Sequence, residues 1–377
     1  MPDGTIYLDH AATCPPLPRV QAAVSAAMAA GLGNPEARHH AAGRAAAAVV
    51  DRARAALAAL VGCRGDELVF TSGASEAISH AVFGVAEALL RDRPVMVAGA
   101  ADHAATAAAL ARVAGAGAII RTMPVDRQGR IPPAALSAID DRTALVCLLL
   151  VNNETGVIAD PAPVADACRR HGALLLLDAS QAPLRMPVDL AASGADLAVL
   201  SAHKMHGPGG LGALWIRRGL GLPPLIAGGG QEGGRRGGTP PVHALAGWAA
   251  ACEWLLSDGT AVRDRLRDLG ERLEARLQQR LPGLVIQGAG VPRAPGITMV
   301  TLPGLGRRWL PGLRRVAASA GSACGSGTGE PSRVLTAMGM SAAEAVASLR
   351  LSLGADSDGM GVDAGAEDII AAAGDLP

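Results

Sequence analysis

Aromatic side chains are scarce: one Tyr, two Phe and four Trp make up 2% of 377 residues. So few cannot assemble the row of stacking rings by which proteins hold single-stranded nucleic acid. Net charge is lacking as well. Lys+Arg and Asp+Glu stand at 34 each, so no overall field draws in nucleic acid or an anionic membrane, and neither is expected as a partner. Apolar stretches such as 143–151 (TALVCLLLV) and 172–177 (GALLLL) are strand length, well short of the roughly 20 residues a membrane span needs. The six cysteines, at 14, 63, 147, 168, 252 and 324, form no CxxC pair and no dense framework. This excludes the disulfide scaffold of a small secreted domain and fits a reducing cytoplasm. The start, MPDGTIYLDH, has no basic region followed by an apolar run, so no signal peptide is expected.

What is present is core-forming aliphatic sequence, long enough for two domains. From residue 66, short apolar runs alternate with Ala-rich helical stretches. The runs are 67–72, 94–99, 117–125, 143–151, 173–180, 197–203 and 212–218. Continuous apolar runs separated by helices predict a mostly parallel sheet covered on both faces, with ligands beyond the carboxyl ends of its strands. Residues 219–241 are rich in Gly and Pro and read as a long loop. A helix follows over 243–281, leading into a smaller domain with strands at 283–287, 297–302 and 348–353 and helices at 308–318 and 332–338. No repeat of fixed period is present.

Chemistry gathers where the runs end in polar residues. Lys204, in SAHKMHGPGG (201–210), follows a predicted strand; it reads as a surface lysine or as a Schiff-base former whose pKa is lowered by its surroundings. His203 and His206 beside it invite a metal reading, but two histidines without a third ligand make a weak site. Asp178 ends the apolar run LLLLD and reads either as a helix N-cap or as the acidic partner of a pyridoxal phosphate ring nitrogen. TSGASE (71–76) is a small-residue strand-to-helix junction suited to phosphate, or an ordinary helix start capped by Ser75. His103 opens a helical run and, in a chain so poor in Phe and Tyr, is a candidate ring-stacking residue. Cys324, in GSACGSGTGE (321–330), sits among small residues that leave a thiol reachable.

The segments IYLDHAAT (6–13), GNPEARHH (33–40), VFTSGASEA (69–77), VNNETGV (151–157), DASQA (178–182), SAHKMHGPGGLGAL (201–214), GGGQEGGRRGGTPPVH (228–243), GSACGSGTGEPSRVL (321–335) and LRLSLG (349–354) together resemble a cysteine desulfurase, a class V, fold-type I pyridoxal 5'-phosphate enzyme. The resemblance covers nearly the whole chain from residue 6 to 354. It implies an α/β fold, a large domain (14–255) built on a mostly parallel seven-stranded sheet, and a smaller α+β domain (1–13 and 256–377) carrying the cysteine loop. It further implies that Lys204 binds the cofactor as a Schiff base, Asp178 pairs with the pyridine nitrogen and Gln181 contacts the ring hydroxyl. Ala74, Ser75, Ser201 and His203 would hold the phosphate, and Thr239 would reach the phosphate of a neighbouring subunit in a homodimer. His103 would stack on the ring and assist proton transfer, Asn153 and Arg350 would bind the substrate carboxylate, and Cys324 would attack the sulfur of L-cysteine. The products would be a persulfide on Cys324, bound for an unidentified sulfur acceptor, and L-alanine. No metal is implied. The five-residue spacing of Cys324 and Glu330 resembles the NifS/IscS-like branch.

Three stretches depart from that pattern. Gly325 follows the cysteine where the family commonly has a hydroxyl residue. Segment 303–315 (PGLGRRWLPGLRR) carries Arg307, Arg308, Arg314 and Arg315, read as a solvated helix face in preference to a docking patch for an acidic acceptor. The tail after Gly354 is short and degenerate, which puts a scaffold-binding C-terminus in doubt. Competing functions are selenocysteine cleavage or another class V lyase or transaminase reaction, and a non-catalytic paralogue.

Overall fold

The structure, a computed structural model, describes residues 4–321 and 331–374. The chain begins with a short strand, β1 (Ile6–Tyr7), and two helices, α1 (Pro18–Ala29) and α2 (Ala41–Leu60). Strands and helices then alternate: β2 (Leu68–Thr71), α3 (Ala74–Leu89), β3 (Val95–Gly99), α4 (Ala104–Ala114), β4 (Ile119–Met123), β5 (Thr143–Leu149), α5 (Ala162–His171), β6 (Leu174–Asp178), α6 (Ala182–Arg185), β7 (Leu197–Ser201) and β8 (Gly212–Ile216). All seven apolar runs of the sequence are strands of one sheet, in the order β2-β8-β7-β6-β5-β3-β4. Only β8 runs antiparallel to its neighbours.

Alternation of side chains along the strands divides the core. Val69, Met96, Leu145, Cys147, Leu176, Val199 and Leu214 pack under α3 and α4, against Ile78, Val82, Val85 and Leu110. Phe70, Val97, Val146, Leu148, Leu175, Leu177, Leu200 and Trp215 face the other way, toward α2, α5 and the long helix α7 (Val242–Arg280). Each leucine or valine so buried contributes about 1.5–3 kcal/mol, which explains how a sheet with one phenylalanine (Phe70) and one tryptophan (Trp215) in its strands still carries a large core. Each fully buried tryptophan ring also finds a partner for its N–H: Trp215 on Glu67 Oε2, Trp248 on Met205 Sδ and Trp309 on the Ala347 carbonyl.

After α7 come β9 (Val285–Ile286), β10 (Ile297–Thr301), α8 (Trp309–Gly312), β11 (Val316–Ala317), α9 (Arg333–Ala337), α10 (Ala342–Val346), β12 (Ser348–Ser352) and α11 (Gly359–Gly374). Strands β12, β10 and β9 form an antiparallel sheet, and β11 pairs in parallel with β1. The helix expected over 308–318 is a correction: only Trp309–Gly312 is helical. The Asp368 carboxylate on α11 accepts from the backbone N–H groups of Arg314, Arg315 and Val316, which holds that backbone extended into β11. Arg307, Arg308, Arg314 and Arg315 are exposed.

The Gly/Pro-rich stretch 219–241 has a single 3-10 turn, Gln231–Gly234. It is nonetheless pinned. Glu232 accepts from Arg54 (2.7 Å) and from the Phe70 N–H (2.9 Å), and Arg236 pairs with Glu76 at 2.9 Å.

His206 joins three parts of the chain. It sits at φ +61° in the left-handed region, fully buried, with Nδ1 bonded to the Pro15 carbonyl at 2.7 Å and Nε2 accepting the Ala355 N–H at 2.9 Å. Both ring nitrogens are satisfied only in the neutral form, and burial pulls its pKa down to about 4. The unfolded chain takes up this proton near 6.5, so it binds more protons than the fold between about pH 6.5 and pH 4. Stability is therefore present above that window and lost as pH falls through it. Replacing His206 by Asn, which tolerates the left-handed backbone, should flatten the fall by about 2–3 kcal/mol while lowering stability at pH 7. Urea titrations of both proteins from pH 7 to pH 4 check this; parallel curves would refute it.

Candidate active site

At the carboxyl ends of β2, β3, β5, β6 and β7 a cavity of about 330 Å³ opens. Its wall includes Ala74, Ser75, His103, Asn153, Asp178, Gln181, Ser201, His203, Lys204 and Arg350. The topology explains the convergence, since parallel strands bring successive βα turns to one edge of the sheet. Of the site residues read from the sequence that the structure describes, only one lies elsewhere. Thr239 is exposed, in the 219–241 loop, and does not line its own chain's cavity. Cys324 lies outside the described residues, as do Gly325 and Glu330.

The junction after β2 forms a cradle. Gly73, at φ +156°, is the N-cap of α3, and Ser75 lies inside the first turn, which corrects the reading of Ser75 as the cap. The first N–H groups of a helix have no carbonyl within it to reach, so they face the cavity as anion donors. Gly212 makes the cradle possible: a Cβ there would come within 2.6 Å of the Gly73 carbonyl carbon and 2.8 Å of the Leu200 oxygen. Both are backbone atoms that cannot step aside.

Lys204 is the only lysine in the chain. Its Nζ donates to the carbonyls of Ala11 and Ala12, both at 2.7 Å, and Gln181 Nε2 donates to the same Ala11 oxygen at 2.8 Å. Asp178 is buried, and its Oδ1 accepts from the N–H and hydroxyl of Ser180; the N-cap of the following short helix is Gln181. Asp178 therefore turns the chain without capping α6.

His103 is the N-cap of α4, with Nδ1 accepting the Ala105 N–H at 3.1 Å. That bond leaves the proton of the neutral ring on Nε2. Burial lowers its pKa, assisted by Lys204, Arg333 and Arg350 and opposed by Asp178. His203, bonded through Nδ1 to the Thr13 hydroxyl at 3.0 Å, is pulled to about 4 by burial and by Lys204. It is a neutral hydrogen-bonding group near pH 7 and adds no positive charge. His203 and His206 turn to different partners.

Arg350, 1% exposed, donates through Nη1 to the Asn153 carbonyl (3.0 Å) and through Nη2 to Asp9 Oδ1 (2.7 Å). Asp102, next to His103, bridges the ends of two strands by accepting the N–H of Gly99 and of Leu149. Burial, with Asp178 nearby, raises its pKa to about 7. Sequence reading gave roles to none of Asp9, Ala11, Ala12, Asp102 or Gly212; IYLDHAAT was noted as a motif, but carbonyl acceptors leave no signature in residue type.

Pyridoxal phosphate can be tested against this wall. Buried polar atoms without a partner are uncommon and costly, about 1–3 kcal/mol each. Three of those in the described residues, Gln181 Oε1, Ser201 Oγ and Arg350 Nε, belong to side chains lining the cavity. A helix N-terminus for phosphate, a buried carboxylate and one amine complete a donor set that fits this cofactor.

Comparison with known proteins decides the family. A family model for aminotransferase class-V matches residues 6–364. The chain belongs to the class-V aminotransferase family. Among class-V relatives it is 40% identical to a cysteine desulfurase of Frankia sp. (strain EuIK1), over 93% of this chain and 86% of that one. A solved NifS-like protein superposes with a TM-score of 0.88 at 28% identity, covering 97% and 98% of the two chains. A structure described as SspA in complex with cysteine gives 0.82 at 28% identity, covering 92% and 98%. Each of these likenesses covers more than nine-tenths of this chain.

The cradle yields a prediction. Gly212→Ala should cost about 1–3 kcal/mol in folding and, by displacing Gly73, weaken pyridoxal phosphate binding at least tenfold. Urea denaturation of the cofactor-free protein and a spectral titration with the cofactor measure the two effects. Unchanged cofactor affinity would show that Gly73 is no part of the cradle.

Proposed function

We propose that this chain is a pyridoxal-phosphate-dependent cysteine desulfurase, converting L-cysteine to L-alanine and leaving the sulfur as a persulfide on Cys324. The observation that carries the reading is the wall itself: the chain's one lysine and a buried carboxylate share a cavity with unpartnered Gln181, Ser201 and Arg350 atoms. Relatives named cysteine desulfurase support the choice of reaction.

When bound, the cofactor supplies an electron sink that labilises the bonds of an attached amino acid. The protein supplies the rest. Ala74, Ser75, Ser201 and His203 would hold the phosphate, Asp178 would pair with the ring nitrogen, and Gln181 would meet the ring hydroxyl. Lys204 would hold the cofactor through its Nζ, and the same amine is the base placed to take the substrate α-proton. His103 would lie against the ring and exchange protons through Nε2, while Asn153 and Arg350 would take the carboxylate. Cys324, as thiolate, attacks the substrate sulfur: the C–S bond breaks as the S–S bond forms, and no outside oxidant is consumed.

In this reading residues 14–255 form the cofactor-binding domain, and 1–13 with 256–377 the smaller one. The enzyme is a homodimer in which exposed Thr239 reaches the partner's phosphate, and the persulfide passes to an acceptor protein or small molecule. The cytoplasm is the proposed compartment; Cys14, Cys63, Cys147, Cys168 and Cys252 are free, and among the described residues no helix is long and apolar enough to cross a membrane.

Because Lys204 is the only lysine, borohydride reduction of the loaded protein should add the cofactor's mass to one peptide, that containing residue 204. Cys324→Ala should keep the cofactor absorbance and lose sulfide release from L-cysteine at least a hundredfold. Sulfide release undiminished in Cys324→Ala would move the chain to a sibling lyase; absence of cofactor binding would overturn the reading altogether.

A further inference from the structure

Arg350 raises a problem that the substrate carboxylate does not solve. It is a wholly buried guanidinium that must be stable before any substrate arrives, and an uncompensated buried charge is strongly destabilising. Its permanent counter-ion is Asp9, across 341 residues of sequence, at 2.7 Å. Asp9 does not line the cavity and stays 17% exposed. The ion pair uses one guanidinium donor and the Asn153 carbonyl a second, out of five. Nε is buried without a partner, and Arg350 lines the cavity.

The second carboxylate oxygen of Asp9 is also committed. Oδ2 accepts from the Ser319 hydroxyl at 2.8 Å. Ser319 is bound to Arg350 a second way, through a backbone bridge in which the Arg350 N–H donates to the Ser319 carbonyl at 2.7 Å. Asp9, Ser319 and Arg350 thus form a closed triangle of one ion pair, one side-chain hydrogen bond and one β-bridge. In sequence, Ser319 stands five residues before Cys324.

Resting on the desulfurase reading above, we propose that Asp9 is a positioning residue that aims Arg350 at the substrate carboxylate and ties that recognition to the strand leading into the cysteine segment. It touches neither substrate nor cofactor. Its Oδ1 fixes the plane of the guanidinium, so the free donors are presented without a search over rotamers; its Oδ2 holds Ser319 in register with Arg350. A carboxylate-bearing amino acid needs the first function, and the attack by the thiol needs the second.

The test uses the holoenzyme and two ligands, L-cysteine and cysteamine, which has the amine and thiol without the carboxylate. Binding is read by spectral titration in a Cys324→Ala background and turnover in the parent. Asp9→Ala should raise the dissociation constant for L-cysteine at least tenfold and that for cysteamine less than twofold. Asp9→Asn, which keeps an acceptor for Arg350 and a donor for Ser319, should restore L-cysteine binding to within about threefold. Ser319→Ala, which spares the ion pair, should leave KM within twofold and lower kcat at least threefold. If Asp9→Ala unfolds or loses its cofactor, Asp9→Ser takes its place with the same split required. Unchanged L-cysteine affinity, or equal losses for both ligands, would overturn the proposal while leaving the desulfurase reading intact. A parent enzyme that binds the cofactor yet releases no sulfide from L-cysteine would overturn both.

Discussion

The side-chain nitrogen of Lys204 rests on two carbonyl oxygens, those of Ala11 and Ala12, and the rest of the cavity is organised around that contact. The segment that supplies them runs through the middle of the molecule. Leu8 donates to Ala317, His10 to Ser352, and Cys14 to the His203 carbonyl; Pro15 receives His206, and Thr13 meets His203. Eight consecutive residues therefore touch the small sheet, the β1–β11 pair and the turn that carries the lysine. The bonds of Leu8, His10 and Cys14 run from backbone to backbone and do not depend on side-chain identity. A displaced N-terminal segment would release the amine, Gln181 and His203 together.

The scarcity of aromatics has a counterpart in the site. The proposed cofactor is flat and would take a ring of the kind the sequence rarely supplies against its face; the cavity offers His103. Its Nδ1 is spent capping α4, which fixes the ring's position and leaves Nε2 as the one exchangeable site. Asp102, clamped between the N–H groups of Gly99 and Leu149, fixes the backbone from which that ring projects. In the proposed reading, capping, stacking and proton exchange thus fall to a single residue.

The sheet was legible because its strands are buried on both faces and so read as unbroken apolar runs. The cavity residues were legible where chemistry demands a residue type: an amine at Lys204, a carboxylate at Asp178, small residues at 73–75. Geometry carried by the backbone was not. The carbonyls of Ala11 and Ala12 could come from any residue, and the Asp9–Arg350 pair joins positions 341 residues apart. The segment 308–318 misled for a related reason. Its arginine and leucine spacing suits a helix, but Asp368, on another element, captures the backbone donors a helix would need, and tertiary contact outweighs local propensity.

A chain with one lysine constrains its own chemistry. Pyridoxal phosphate is an aldehyde, and a free amine is the group that condenses with it. Thirty-three of the 34 basic side chains are arginines, whose guanidinium stays protonated and forms ion pairs in preference to Schiff bases. They are used that way here: Arg54 with Glu232, Arg236 with Glu76, Arg293 with Glu274 and Arg350 with Asp9. Covalent attachment of the proposed cofactor would thereby be confined, among side chains, to one nitrogen. The cavity needs no exclusion of competing lysines, and its selectivity can be spent on the phosphate, the ring and the carboxylate of the substrate.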